Sequence, residues 1–268
     1  MQNPATLPIS AFVICRDEEA GIAACLESLR ACAEIIVVDS GSTDRTIRII
    51  EELRERGLPI WLLHQKWQGY AGQKQFALDH ATQSWCLNLD ADERLDETLQ
   101  SHVATLLEVG EAVAGWRLRR IPASLYGLHP LPRGIYPKPV LRLVRRGRAR
   151  YDLDALVHEG LIVEGRIRDC KHGAIQHERR LGVEDQLRKE LVYARLKAQQ
   201  RVNQGRSPSR LRLIFNPMIY FIRIFILHRW FLCGRVGFVH AVTAAIYAFA
   251  TEAIHFELSR DRHDAPTS

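Results

Sequence analysis

Three acids fall within four positions at Asp90-Ala91-Asp92-Glu93, directly after the apolar run Trp85-Cys86-Leu87-Asn88-Leu89. Carboxylates beside a core are costly unless a cation or a polar ligand meets them, so chemistry is expected here. If the run is a strand, Asp90 and Asp92 share a face, because strand side chains alternate with a period of two. At ~3.3 Å per residue their Cα atoms would lie roughly 6.6 Å apart when extended. Both could ligate one Mg2+, at about 2.1 Å per bond, only if the backbone turned after Asp90. Otherwise one acid serves a polar group of the ligand. The same acids would also suit the start of a helix at Leu95, since carboxylates favour helix N-termini.

The elements that must position these acids can be read from apolar periodicity. Ile9 to Ile14 is a short apolar run closed by Cys15-Arg16-Asp17-Glu18-Glu19, after which Ile22, Cys25, Leu26 and Leu29 recur at helical spacing. Glu34 to Asp39 is a second buried strand ending in an acid, followed by the turn and cap residues Ser40-Gly41-Ser42-Thr43-Asp44 and a helix to about Glu55. Pro59 to Leu63 makes a third strand, Gly72 to Thr82 a helix, and Ser84 to Leu89 a fourth strand. Alternating strands and helices predict an α/β, doubly wound, mostly parallel sheet, in which ligands bind beyond the carboxyl ends of strands. The polar clusters 16–18, 39–44 and 90–93 all lie at such ends. A dinucleotide site is disfavoured, because no G-x-G-x-x-G follows the first strand.

Four motifs occur in one order: Ile-Cys-Arg-Asp-Glu-Glu (14–19), Val-Val-Asp-Ser-Gly-Ser-Thr-Asp (37–44), Gly-Tyr-Ala-Gly-Gln-Lys-Gln (69–75) and Leu-Asp-Ala-Asp-Glu-Arg (89–94). The series resembles the family 2 inverting glycosyltransferases of GT-A fold, closest to the bacterial lipopolysaccharide-core glucosyltransferase branch. The likeness is strong over 9–100, moderate over 133–160, and general in the C-terminal third.

The resemblance implies a substrate-binding set of Arg16, Glu18, Asp39, Ser40, Gly72, Lys74 and Asp90, with Asp39 as the base-binding acid. Asp44, by contrast, fits the first turn of the helix, where the dipole alone would account for it. Lys74 falls where the family often carries a basic residue near the donor diphosphate, and Gly69 and Gly72 would permit close backbone approach. Asp92 is the expected ligand of Mg2+ or Mn2+, with Asp90 on the ribose. The family usually carries Asn-Glu where this chain has Asp17-Glu18. Val157-His158-Glu159 matches the His-Glu pair of the branch. An inverting transferase needs a base for the acceptor hydroxyl, and a metal-bound carboxylate is a poor one. Glu159 is therefore the expected base, with Asp154 next. His158 is the expected further metal ligand, or a group that positions the diphosphate. His172 and His177 lack a ligand spacing that assigns a site.

The composition, 47% hydrophobic and 25% charged, excludes a disordered chain, and the net charge of +6 points to an anionic partner. Position is more informative than the sum. No acid occurs between Ala112 and Tyr151, where Arg117, Arg119, Arg142 and Arg145 lie on alternating strands as a solvated face or a surface for an anionic acceptor. None occurs between Leu191 and Thr251 either, and there Leu211 to Cys233 and Val236 to Ala250 are largely apolar. The first stretch carries Arg212, Pro217 and Arg223 and the second is too short for a span, so interfacial helices are expected, with a helical dimer interface or a true span as the alternatives. The six cysteines have no C-x-x-C pair and read as reduced thiols. The N-terminus lacks the basic region of a signal peptide.

The expected organisation is a catalytic domain over 1–180, with a nucleotide-sugar half (1–100) and an acceptor half (101–180). A helical membrane-interface region follows over 181–258, then a disordered tail over 259–268. The expected protein is a metal-dependent enzyme at the cytoplasmic face of the inner membrane, peripheral or monotopic. It would take a nucleotide-diphosphate sugar, UDP-sugar favoured, and a glycolipid acceptor, with no nucleic acid partner. Two alternatives are a non-catalytic basic protein binding anionic lipid or nucleic acid, and a metal-dependent phosphohydrolase.

Overall fold

The computed structural model describes residues 6–125, 139–153 and 160–264. The chain runs β1 (Leu7–Cys15), α1 (Ile22–Glu27), β2 (Cys32–Asp39), α2 (Thr46–Glu55), β3 (Ile60–His64), α3 (Gly69–Asp79), β4 (Trp85–Asp90), β5 (Glu93–Leu95) and α4 (Glu97–Leu107). It continues through β6 (Val113–Leu118), β7 (Arg120–Leu125), β8 (Val140–Arg145), β9 (Ala149–Tyr151), β10 (Leu161–Val163), β11 (Arg166–Asp169) and β12 (Ile175–Leu181). Three helices close the chain: α5 (Val183–Asn203), α6 (Arg210–Ile222) and α7 (Gly234–Asp264). Two compact units result, one built from the strands with α1 to α4, the other from α5 to α7.

In the first unit the main sheet has the order β11-β6-β8-β4-β1-β2-β3. Strands β4, β1, β2 and β3 are parallel, as the β-α alternation requires, whereas β8 runs antiparallel to both β4 and β6. The sheet is therefore mixed but mostly parallel, as expected, with β8 alone of its seven strands running in the opposite sense. Beyond β4, helix α4 still makes a crossover to β6, which runs parallel to β4, and β8 inserts between the two. The period-two alternation decides the two faces. Val13, Val37, Leu87 and Leu89 pack with Cys25 and Leu26 of α1, Ile50 of α2 and Leu99 of α4. Phe12, Ile36, Cys86 and Val144 pack on the other side with Ala71, Ala77 and Leu78 of α3.

Several boundaries differ from the sequence expectation for local reasons. The helix expected at Leu95 starts at Glu97, because Asp96 takes the N-cap and accepts from Leu99 N at 2.7 Å. Asp44 precedes α2 rather than sitting in its first turn, and accepts from Thr46 N at 2.9 Å. In the second unit, the apolar stretch after Pro217 is not one helix: α6 passes into a π turn at Arg223–Leu227 and a 3-10 turn at Trp230–Cys233. Proline inside a helix removes a backbone donor and favours such irregularity. The segment Val236 to Ala250, too short alone, lies inside the 31 residues of α7. That helix continues to Asp264, so residues 259–264 are helical rather than part of a tail.

Candidate active site

The β1–β2 and β1–β4 registers pair Cys15 with Asp39 and Ile14 with Asp90. Both acids therefore end the strands flanking β1, two strand spacings or about 9.5 Å apart. Asp39 is 2% exposed and anchors the loop that follows it, accepting from Gly41 N at 2.9 Å and from the amide and hydroxyl of Ser42. Burial alone would raise the carboxyl, but the bonds from Ser42 and Gly41 outweigh it and hold Asp39 below the ordinary carboxylate range. His64, at the end of β3, adds a longer contact of 3.5 Å and is itself largely exposed.

The neighbouring loop is organised around Asp17, which adopts a left-handed backbone at φ 54° and accepts from Thr43 N at 2.6 Å. Glu18 N donates to Thr46 Oγ1 at 2.8 Å, and Ser40 N donates to Cys15 O at 3.1 Å. These contacts clamp the β1–α1 and β2–α2 loops together. Arg16 points outward, 61% exposed, with only a 3.8 Å contact to Asp17.

The backbone turns directly after Asp90: β4 stops there, residues 91 and 92 form a turn, and β5 begins at Glu93. The turn gives the acids different partners. Asp90 meets Lys74 Nζ of α3 at 2.9 Å and Arg142 of β8 at 2.7 Å, while keeping 32% of its side chain exposed. Glu93 is buried against Arg120 and Arg142, and its carboxylate also accepts from Asp90 N at 3.1 Å. Asp92 meets neither cation; its Oδ2 lies 2.9 Å from His177 Nε2. Burial tends to raise Asp90 and Asp92 alike. Arg142 and Lys74 more than offset it at Asp90, and His177 does so at Asp92, so both carboxyls lie below the usual range.

Two residues at this cluster escaped the sequence reading. Arg142, assigned there to an outward basic face, is the cluster's hub: its guanidinium bonds Asn88 Oδ1 at 2.6 Å, Asp90 and Glu93, and its side chain is 11% exposed. The register of β8 on β4, with Leu143 opposite Leu87, turns Arg142 onto the face that carries Asn88 and Asp90. Arg145 is likewise held, with Nε donating to Val113 O at 2.9 Å and its cation over the Trp85 ring. His177 arrives through the antiparallel pairing of β5 with β12, where it stands opposite Glu93. Its only sequence signal was an imidazole in the polar strand Ile175–Leu181. Lys74 is 5% exposed, an ion-paired interior lysine rather than a solvated one. Gly72 lies inside α3, where an added Cβ would meet Gln68 Cβ at 3.0 Å. The expected Asp154, His158 and Glu159 lie outside the described residues.

Residues 10–153 match the family model described as glycosyl transferase family 2. The lipopolysaccharide core biosynthesis glycosyltransferase LpsC of Rhizobium meliloti is 46% identical over 92% of this chain and 91% of its own. The chain belongs to glycosyltransferase family 2. An uncharacterized glycosyltransferase of Rickettsia bellii is 28% identical across the whole of this transferase and 92% of its own length. The solved structure of S. aureus TarS 1-349 covers 95% of this chain and 92% of its own at 15% identity and a TM-score of 0.49, too distant to bear on the site. The parallel-rich mixed sheet is the architecture expected of a GT-A transferase.

The family makes a divalent cation at the acids the natural expectation, and the side chains can be tested against it. Among the described residues no group of three or more His, Cys, Asp or Glu is placed to hold an ion. Asp90 and Glu93 are committed to cations of the protein. Asp92 pairs with His177 instead, at 2.9 Å and with Asp92 21% exposed, so an ion bound between them would replace that contact. Two protein donors suffice for an ion that also binds a substrate diphosphate and water, and a mixed oxygen and nitrogen pair suits Mn2+ better than Mg2+. Asp92 and His177 are the described pair of side chains that would hold such an ion.

Proposed function

We propose that this family 2 transferase is an inverting, metal-dependent enzyme that moves a sugar from a nucleotide-diphosphate donor, UDP-sugar favoured, to a glycolipid acceptor at the cytoplasmic membrane surface. Lipopolysaccharide core synthesis, the process named for the Rhizobium relative, is the setting we infer. The observation that carries the reading is the division of the acidic cluster: Asp92 faces an imidazole while Asp90 faces Lys74 and Arg142. One acid is thus left for a cation, and two cations stand beside the other.

In this reading Asp39 receives the base, which displaces the long His64 contact, and Asp90 receives the ribose. Asp92 and His177 hold Mn2+ or Mg2+, which when bound neutralises charge on the departing diphosphate. Lys74 contributes a fixed positive charge from α3, already desolvated and so strong at short range. Arg16, Glu18, Ser40 and Gly72 line the approach to the nucleotide. Glu159 takes the proton of the acceptor hydroxyl as it attacks the anomeric carbon opposite the leaving group, and His158 orients the diphosphate.

Calorimetry of the full chain against a panel of nucleotide sugars with Mn2+ tests the donor class. One saturable heat, abolished by EDTA and by Asp92→Ala, is expected. Wild-type donor affinity and transfer in EDTA-treated Asp92→Ala enzyme would remove the metal assignment. Transfer that survives Glu159→Gln but not Asp154→Asn would move the base to Asp154.

A further inference from the structure

Helix α6 is built inside out. Its outward residues Leu211, Ile214, Phe215, Met218, Ile219 and Ile222 are each at least 46% exposed and recur every three or four positions. Two of its polar residues, Arg212 and Asn216, reach inward. Asn216 Nδ2 donates to Glu252 Oε1 of α7 at 2.7 Å, and Arg212 Nε lies 3.8 Å from Glu252 Oε2. Glu252 is 1% exposed and also takes Arg201 of α5 at 2.7 Å. A helix on a water-soluble protein turns its apolar stripe to the core and its polar face to solvent. The reverse is what a lipid environment selects, because polar groups must then find their partners inside the protein.

The stripe does not end with α6. Leu227 and Phe231 in the turn, and Phe238 and Phe249 on α7, extend it. The two helices pack antiparallel: Asn216 meets Glu252, Tyr220 meets Tyr247, and Phe225 meets Phe238.

Charge selects what covers this face. Arg210, Arg223, Arg229 and Arg235 are exposed around it, and no acid occurs from 191 to 251. A second copy seated there would bring like charges together, at a cost. Anionic lipid phosphates would pair with them. Length argues against crossing. Only residues 213–222 separate Arg212 from Arg223, ~15 Å of helix against the ~30 Å of a hydrocarbon core. The segment Trp230–Arg260, most of it α7, is long and apolar enough by itself, with 28% of its apolar window buried. Spanning, however, would carry the packed α6 and Arg223 to mid-depth, where an arginine is expensive.

Resting on the membrane-surface reading above, we propose that α6 and the 223–233 turn form a monotopic anchor lying in one anionic leaflet. The apolar stripe faces the acyl chains, the four arginines reach the phosphates, and Glu252 clamps the polar face of α6 inward.

The test is flotation of the full chain with phosphatidylethanolamine–phosphatidylglycerol vesicles and with phosphatidylcholine vesicles. The wild type is expected to float with the first and much less with the second. The triple variant Ile214→Asn, Met218→Asn, Ile222→Asn should lose at least about tenfold in vesicle affinity and keep the wild-type circular dichroism. These side chains are exposed, so a water-facing α6 would tolerate the change; unchanged flotation overturns the proposal. So does a wild-type chain that dimerises in solution and dissociates only in the triple variant. Arg229→Cys, probed with a membrane-impermeant maleimide in sealed cells, should stay unlabelled from outside. Labelling there means the hairpin crosses, and the anchor is wrong as stated. None of these readouts involves sugar transfer, so a chain that floats as expected but transfers nothing leaves the anchor standing and removes only the enzymatic reading.

Discussion

Arg142 is the residue on which the acidic cluster depends. Removing a cation from between Asp90 and Glu93 would leave buried carboxylates unpaired, and breaking such a pair costs about 3–5 kcal/mol. Arg142→Met is therefore expected to lower unfolding free energy by about that amount in urea titration. Arg142→Lys, which keeps the charge but cannot bond Asn88, Asp90 and Glu93 together, should lose less stability. Both should impair donor binding, because Asp90 would no longer be held in place. An Arg142→Met protein as stable as wild type would show that the cluster carries no such load.

At the scale of elements, the cluster exists because β5 and β12 pair beside the first turn of α4. Gly173 makes the approach possible. Its φ is 69°, and a Cβ there would lie 2.4 Å from Leu99 N, backbone that cannot yield. The adjacent Ala174 O accepts from Asp96 N at 3.0 Å, tying the start of β12 to the cap of α4. Gly173→Ala adds left-handed strain to a steric clash, so a loss of about 3 kcal/mol is expected. Calorimetric melting should show it, together with weaker Mn2+ binding as His177 shifts from Asp92. An unchanged melting temperature would mean that the turn relaxes freely.

For the molecule as a whole, acid stability follows from carboxylates held low. Glu34, Asp39, Asp90 and Asp92 all lie below their ordinary values: burial opposes the shift in each case, and hydrogen bonds or ion pairs overcome it. Glu190 on α5, raised by burial, acts in the opposite sense. A carboxyl depressed on folding stabilises fully above its unfolded value, about 4, and loses that contribution as pH falls through the folded value. The melting temperature should therefore change little from these groups between pH 8 and 5 and drop below about 4. Asp90→Asn should melt lower at pH 7 and show a shallower acid slope. A melting temperature that rises from pH 5 to 3 would contradict the assignment.

The four ordered motifs determined the family and the first four strands, because local periodicity and turn chemistry act between residues close in sequence. The acids at the ends of β2 and β4 were legible for the same reason, as was the basic, apolar C-terminal third. Only tertiary structure decided which partner each acid meets. Arg142 and His177 reach Asp90 and Asp92 across 52 and 85 positions through strand register, and no local pattern marks a partner that far away. The same holds for α6. Its stripe could be counted in the sequence, but the side it turns outward was settled by Glu252, whose buried carboxylate draws Arg212 and Asn216 inward and leaves the apolar face uncovered.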